Sequence, residues 1–195
     1  MINKIPLKSY KHEFTFPKYE KIILDDRITL YLLEDKTLIL NDLTVIFPIG
    51  AYQYNFAGLS YFSAKMLAKG TLKRSAIQIS ENFDRLGATL NISADWDSTR
   101  IGFTCLNQYT IKCLDYLIDC IFNSVFSNEE FERMRIKHLA DIEQENSDAS
   151  YLASIYLKKN IFKNHPYGLP LIGDNKSIKK LTRNDCLNWY DNLLK

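Results

Sequence analysis

The stretch Gly58–Gly70 (GLSYFSAKMLAKG) predicts a short amphipathic helix that runs into a turn. Tyr61 and Lys65 lie four residues apart, so their side chains share one helical face. A phenol is a poor zinc ligand at neutral pH because it must first lose a proton with a pKa near 10. A lysine side chain is cationic and repels a metal ion, and Ala64 cannot take a proton. These residues therefore provide neither zinc ligands nor a general base.

The three histidines, His12, His138 and His165, are too scattered in sequence to indicate a metal site. His138 lies on a predicted long helix, where we expect a packed or hydrogen-bonded core histidine; a replacement metal ligand is the alternative. His165 precedes Pro166 in a predicted loop. His12 belongs to an extended N-terminal arm, residues 1–13, and is expected at the surface.

The four cysteines show no C-x-x-C spacing. Cys113 and Cys120 share a helical face but lie too far apart along it to form a disulfide. We expect all four, Cys105, Cys113, Cys120 and Cys186, to be reduced and mostly buried. This fits a reducing compartment and predicts a cytoplasmic protein, or a periplasmic one if a leader has been removed.

Composition indicates a globular protein with 46% hydrophobic and 25% charged residues in a chain of 195. A net charge of +2, with no run of like charges, argues against a nucleic-acid partner. No segment approaches the roughly 18 apolar residues of a membrane helix. The N-terminus lacks the apolar core of a secretory signal. We predict one domain over residues 1–195.

Hydrophobic patterning predicts an α+β fold, with a mostly antiparallel sheet and helices packed on one face. Capping boxes at Ser75–Gln78, at Ser127–Glu130 and at Thr182–Asp185 begin three of the helices. The other helices are predicted at Tyr109–Phe122 and at Tyr151–Phe162. The strands are predicted at Ile22–Leu24, Thr29–Leu33, Leu43–Pro48, Thr89–Ala94 and Thr99–Leu106, the last two forming a hairpin.

Four stretches, in this order, resemble the N-terminal domain of the insulinase, pitrilysin and mitochondrial-processing-peptidase family of zinc peptidases. The resemblance extends over Phe14–Leu194. The stretches are VIFPIGAYQYNFAGLSYFSAKMLAKGT, KRSAIQISENFDRLGATLNISADWDST, FSNEEFERMRIKHLADIEQE and NHPYGLPLIGDNKSIKKLTRNDCLNWY.

Active members of this family carry H-x-x-E-H on the first of these helices, and a distant glutamate completes the zinc site. The resemblance puts Tyr61 and Lys65 at the two histidine positions and Ala64 at the position of the general base. The distant glutamate position falls on Asp141, with Glu143 as a secondary register. Both imidazoles and the base are missing, so the resemblance implies a degenerate motif with no catalytic residues, no metal and no cofactor in this chain.

The resemblance implies a non-catalytic subunit that closes the chamber and helps a homologous, zinc-bearing partner to bind peptide substrate. Two alternatives stay open. The first is a structural member of a complex without a role in proteolysis, and the second is an active peptidase with unconventional ligands. Subunits of this type usually contain two such domains, so this chain is expected to be part of a longer two-domain protein.

Two expectations concern side-chain contacts. We predict that Lys65 pairs with Asp141 or a neighbouring carboxylate, because an acid is retained opposite the new lysine; otherwise the amine extends into a solvent-filled cleft. Asn91, Ser93 and Asp95 are candidate substrate contacts along a strand edge, against the alternative of an ordinary amphipathic strand. Trp96 is either a partner contact or a lid over the core.

We expect the purified chain to contain less than about a tenth of a zinc ion per molecule, because its motif lacks the usual ligand set. Elemental analysis measures this directly. Stoichiometric zinc that a chelator removes would contradict the prediction.

Overall fold

The computed structural model describes residues 15–195, so the predicted arm at residues 1–13 and His12 lie outside the described residues. The described chain divides into two compact units, residues 15–38 and residues 39–195. The prediction of one domain within a longer two-domain protein stays a prediction. In the described part, no helix is long and apolar enough to cross a membrane.

The smaller unit is an antiparallel β-hairpin. Strand β1 (Glu20–Asp25) pairs with β2 (Ile28–Leu32), and Ile22 lies opposite Leu30. Both predicted strands of this region are confirmed. All of their residues are solvent-exposed, so neither face of the hairpin alternates between buried and exposed positions.

The larger unit contains a three-stranded antiparallel sheet in the order β3-β5-β4. Its register aligns Val45, Ile101 and Ile92 in one row, and Thr44, Gly102 and Asn91 in the next. The first row belongs to the apolar face that packs on the core, and the second to the outer face, because side chains alternate along each strand. The strands are β3 (Leu40–Phe47), β4 (Thr89–Ala94) and β5 (Thr99–Leu106).

Seven helices accompany this sheet in the described part of the chain, and the predicted α+β fold with helices packed on one face is confirmed. Ser75 and Thr182 begin their helices with reciprocal capping boxes, as predicted. Ser127 accepts from the Glu130 amide, but the Glu130 side chain binds Arg133 instead of completing the box. The helices are α1 (Leu59–Met66), α2 (Ala76–Asp84), α3 (Thr110–Phe122), α4 (Asn128–Glu145), α5 (Ala149–Ile161), α6 (Asn175–Lys180) and α7 (Arg183–Leu193).

Helix α3 buries a different stripe from the one its large apolar residues indicate. Ile111 and Ile118 are 78% and 45% exposed, so they lie outside the buried stripe. The helix instead buries Cys113, Leu117, Cys120 and Ile121, which recur at helical spacing. Small thiols at two of these four positions take little room where the helix packs on β5.

All four cysteines are buried and unpaired in the structure, as predicted. Burial raises the pKa of Cys113 and Cys186 to about 11 and that of Cys120 to about 12. Thiols with these values carry almost no thiolate at neutral pH, so they are not nucleophiles.

Helix α1 is the most deeply buried helix segment of the sheet-containing unit. Its N-cap, Gly58, has a φ of +85°, and a Cβ atom there would lie 2.8 Å from the carbonyl oxygen of Ile172. Only glycine tolerates both the left-handed backbone and this close approach. Farther along, Trp189 of α7 donates to the Ser60 hydroxyl at 3.1 Å, in the interior.

A buried carboxylate ties the segment after α1 to helix α3. Asp119 accepts hydrogen bonds from Thr71 at 2.7 Å, from Arg74 at 2.6 Å and from Asn123 at 2.9 Å. Burial alone raises the pKa of Asp119, but these hydrogen bonds and the Arg74 charge outweigh it and hold the pKa below its ordinary value. Asp115 pairs with the solvent side of the same guanidinium at 3.0 Å.

We expect Asp119→Ala to lower the free energy of unfolding by about 3 kcal/mol, because Thr71, Arg74 and Asn123 lose their shared buried acceptor. Asp115→Ala is the matched control. Its carboxylate is 67% exposed, against 4% for Asp119, so its loss costs less than about 1 kcal/mol. Urea unfolding measures both values, and equal losses for the two variants would contradict this account.

Candidate functional site

The open side of helix α1 lines a cleft of about 390 Å³ in the sheet-containing unit. Tyr61, Lys65 and Lys69 are half-buried on this side, whereas Ala64 is 0% exposed. The position of the missing general base therefore lies in the packed interior. The cleft is lined by Lys65 of α1, by Ala68 and Lys69 in the turn that follows it, by Leu90 and Ile92 of β4, and by Glu130, Arg133, Met134, Lys137, His138 and Asp141 of α4.

The Lys65 ammonium is held by Tyr61. Its Nζ atom donates to the Tyr61 hydroxyl at 2.6 Å and lies 4.2 Å from the centroid of the same ring. No carboxylate of the described residues lies within 4.0 Å of this nitrogen. The prediction that Lys65 pairs with Asp141 is therefore wrong. Tyr61 offers an acceptor and a ring face one helical turn away, while Asp141 is exposed and water solvates its carboxylate.

His138 is a core histidine, as predicted, with 3% exposure. Its Nε2 atom lies 2.7 Å from the carbonyl oxygen of Ile172. A carbonyl can only accept, so Nε2 carries the proton and the neutral ring leaves Nδ1 bare. The ring also packs against Tyr61 and Phe62, at centroid distances of 5.4 and 5.7 Å.

The pKa of His138 is lowered from its ordinary value of 6.5. Burial is the largest cause, because it disfavours the imidazolium, and the positive charge of Lys65 acts in the same direction. The Ile172 carbonyl and the Asp141 carboxylate oppose the shift without cancelling it. His138 is therefore a neutral hydrogen-bond donor at neutral pH.

A zinc ion does not fit these residues. The Tyr61 hydroxyl is occupied by a cationic amine, and Nε2 of His138 is committed to a backbone carbonyl. Asp141 alone offers a free carboxylate to the cleft. Within residues 15–195, no three histidine, cysteine or acidic side chains are grouped so that they could hold a metal.

The two candidates for the distant acidic position, Asp141 and Glu143, have different surroundings in the structure. Asp141 lines the cleft, whereas Glu143 accepts a hydrogen bond from Asn175 at the start of α6. The assignment of Asp141 to the family's distant ligand position stays a prediction.

Strand β4 turns its apolar side chains toward the cleft and its polar side chains away from it. Leu90 and Ile92 line the cleft, and Asn91 and Ser93 lie on the outer face of the sheet. The alternation of the strand was visible in the sequence, but the face that looks toward α1 was not. A substrate-binding role for Asn91, Ser93 and Asp95 stays a prediction, and β4 does form an edge of the sheet.

Asp95 stabilises the turn of the β4–β5 hairpin. Its Oδ1 atom accepts from the amides of Asp97 at 2.9 Å and Ser98 at 2.7 Å, and Arg100 pairs with Oδ2 at 3.1 Å. Burial acts to raise the pKa of Asp95, but these hydrogen bonds and the Arg100 charge leave it below its usual value. The contacts give this carboxylate a structural role in the free chain.

Trp96 packs at the end of the same hairpin. Its ring lies 6.3 Å from that of Tyr167, and the amine of Lys158 lies 4.4 Å from its centroid. Tyr167 also donates to Asp97 through its hydroxyl. Both alternatives for Trp96, a partner contact and a lid over the core, stay predictions.

Comparison with known proteins gives a family match over most of the sheet-containing unit. The sequence model of the insulinase family (peptidase family M16) matches residues 43–175. An uncharacterized zinc protease from Rickettsia felis is 32% identical over 136 residues, which cover 69% of this chain and 32% of that protein. A protein named a non-peptidase homolog, from Helicobacter pylori, is 26% identical over 136 residues, covering 70% of this chain and 32% of its own length.

The fold also matches solved structures. The crystal structure of an M16 peptidase inactive domain from Pseudomonas fluorescens aligns with a TM-score of 0.82 at 23% identity, over 89% of this chain and 43% of that one. At that identity the likeness supports the fold alone. The chain spans about a third of the length of the curated relatives that it matches.

The lowered pKa of His138 predicts a loss of stability in mild acid. Because the unfolded chain binds a proton more readily than buried His138, the free energy of unfolding falls as the pH drops below about 6.5. The contribution of neutral His138 to the free energy of unfolding is fully present above that pH. The variant His138→Gln keeps a donor for Ile172 but does not titrate. We therefore expect its free energy of unfolding to depend less on pH in this range.

Urea unfolding between pH 5 and pH 7.5 measures both profiles. His165→Gln is the matched control, because His165 lies in the turn before Pro166 and its ring does not reach Ile172. Identical slopes for wild type and His138→Gln would contradict the assignment.

Proposed function

The chain belongs to the insulinase family of peptidases (peptidase family M16), and we propose that it is a non-catalytic member that helps a homologous, zinc-bearing partner to bind and cleave peptides. In this proposal the chain completes the chamber, and the metal chemistry occurs in the partner. The activity, substrate and partner of the whole protein are part of the proposal, because the chain spans about a third of its curated relatives.

One observation carries this proposal: an ammonium and a phenol, Lys65 and Tyr61, are bonded to each other at the helix positions that resemble the two zinc-binding histidines of the family. The Lys65 ammonium donates a hydrogen bond to the Tyr61 hydroxyl. The two side chains therefore do not offer two lone pairs to a metal ion. Ala64 offers no proton acceptor in place of the base. A water molecule in this cleft would therefore lack both means of activation.

The names of similar proteins support a non-catalytic role. The Helicobacter pylori relative is named a non-peptidase homolog, and the Pseudomonas fluorescens structure is described as an inactive domain. The Rickettsia felis relative is named a zinc protease, so the family includes members of both kinds.

The four unpaired thiols also support the prediction that the chain works in a reducing compartment, the cytoplasm.

Peptide binding is supported by the edge of the sheet beside the cleft. Among residues 15–195, strand β4 pairs with β5 alone, so its other edge can add an extended peptide. Leu90 and Ile92 of this strand direct apolar side chains into the cleft. A peptide that lies along β4 would thus place alternate side chains over the same cleft.

We expect the chain alone to leave a fluorogenic peptide uncleaved, and its mixture with the zinc-bearing homologue from the same genome to cleave it. The mixture should exceed that homologue alone by at least about tenfold in kcat/KM, because substrate contacts away from the reacting bond contribute to catalysis. Co-purification followed by a cleavage assay with and without chelator measures this.

The matched control replaces the general-base glutamate of the homologue by glutamine, which should abolish cleavage by the mixture while the complex still forms. Chelator-sensitive cleavage by this chain alone would overturn the proposal in favour of an active peptidase. Failure to associate with any zinc-bearing homologue would favour the structural role without proteolysis.

A further inference from the structure

The cleft carries an excess of positive charge. Its lining includes the basic side chains of Lys65, Lys69, Arg133 and Lys137, against only two acids, Glu130 and Asp141. The net charge of the whole chain is only +2, so this concentration of amines is local. A cleft with this lining attracts anions and repels cations.

The one arginine of the cleft is already neutralised. Arg133 binds Glu130 at 2.8 Å and Glu129 at 2.8 Å, along the exposed side of α4. This pairing also consumes Glu130, one of the two acids of the lining. The charge that a ligand would meet therefore comes from the three lysines.

The three lysines lack carboxylate partners in the described structure. Lys65, Lys69 and Lys137 have no acidic oxygen within 4.0 Å among residues 15–195. Asp141 lies one turn after Lys137 on α4, but this order of basic then acidic residue is the less favourable one for a helical pair. Asp141 thus reduces the positive charge of the cleft but does not cancel it.

Lys65 is the central cation. The residue is half-buried, and the contacts of its amine are neutral: the Tyr61 hydroxyl at 2.6 Å and the Tyr61 ring. The neighbouring His138 is also neutral, because burial lowers its pKa. A partly desolvated ammonium without a counter-ion is unfavourable, so an anion that enters the cleft gains a strong, charge-assisted hydrogen bond.

The rest of the cleft is apolar. Four apolar residues lie among the charged groups: Leu90 and Ile92 of β4, Ala68 in the turn after α1, and Met134 of α4. A small inorganic anion would leave these surfaces uncovered. A carboxylate on an aliphatic stem covers them and reaches the amines, and an extended chain beside β4 directs such side chains into the cleft.

We propose that this cleft binds a glutamate or aspartate side chain of an extended peptide, with Lys65 as the main contact and Lys69 and Lys137 at its rim. The cation that stands in the position of the family's metal thus selects acidic peptide segments. This inference rests on the proposed function in one respect, the binding of peptide along β4.

The test uses the 195-residue chain and three nine-residue peptides of alternating valine and threonine, acetylated, amidated and joined to a neutral fluorophore. Their central residue is glutamate, glutamine or lysine. By fluorescence anisotropy we expect the glutamate peptide to bind about tenfold more tightly than the glutamine peptide, and the lysine peptide most weakly. Raising the salt from about 0.05 to about 0.5 M should erase most of this preference.

Variants assign the preference to the cleft. Lys65→Gln should reduce binding of the glutamate peptide to the level of the glutamine peptide, and Lys65→Arg, which keeps the charge, should restore most of the difference. Lys112→Gln, an exposed lysine on α3 outside the cleft lining, is the matched control and should change nothing. Thermal unfolding checks that each variant is folded.

The outcomes separate this inference from the proposed function. Equal binding of all three peptides overturns the acidic preference and leaves peptide binding intact. Binding that depends on a free C-terminal carboxylate, in matched peptides without the amide, also overturns the side-chain assignment. No binding of any peptide overturns both this inference and the peptide-binding part of the proposed function.

Discussion

The burial of helix α1 is the constraint on which the sheet-containing unit depends. A helix can be buried because its own backbone hydrogen bonds are satisfied internally, so only its side chains must find partners. Trp189 meets one of the two buried hydroxyls of the helix, that of Ser60, while the other belongs to Ser63. Phe62 packs edge-to-face on Phe131 of α4 at 5.4 Å. The close approach at Gly58 sets where the helix begins.

This burial leaves one stripe of α1 free to vary. Tyr61 and Lys65 lie on the stripe, where Lys65 lines the cleft and the Tyr61 ring packs on His138. Ala64 lies within the packed interior, where an unpaired carboxylate would be costly. The small apolar residue there is therefore consistent with a helix that serves packing and ligand binding.

The wall opposite α1 is connected to the same contacts. His138 of α4 donates to the Ile172 carbonyl, and that carbonyl also lies against the backbone at Gly58. The start of α1, the middle of α4 and the segment before α6 thus meet at one point. A neutral histidine suits this point, because a charged ring would add to the positive charge of Lys65 beside it.

The sequence by itself determined most of the elements and the absence of a conventional zinc motif. Capping boxes and alternating strands are encoded within a few residues, so Ser75, Thr182 and the β4–β5 hairpin could be predicted. His138 could be predicted as a core residue because it recurs with Phe131 at helical spacing. Each of these features depends only on near neighbours in the chain.

Only the tertiary structure decided which groups meet in the cleft. Lys65 binds Tyr61 rather than Asp141, and Leu90 rather than Asn91 faces α1. Helical and strand periodicities fix which residues share a face, but not which face turns toward a distant segment. That choice follows from how α1, β4 and α4 pack together, because a shift of one residue or a few ångströms changes every charged and apolar contact.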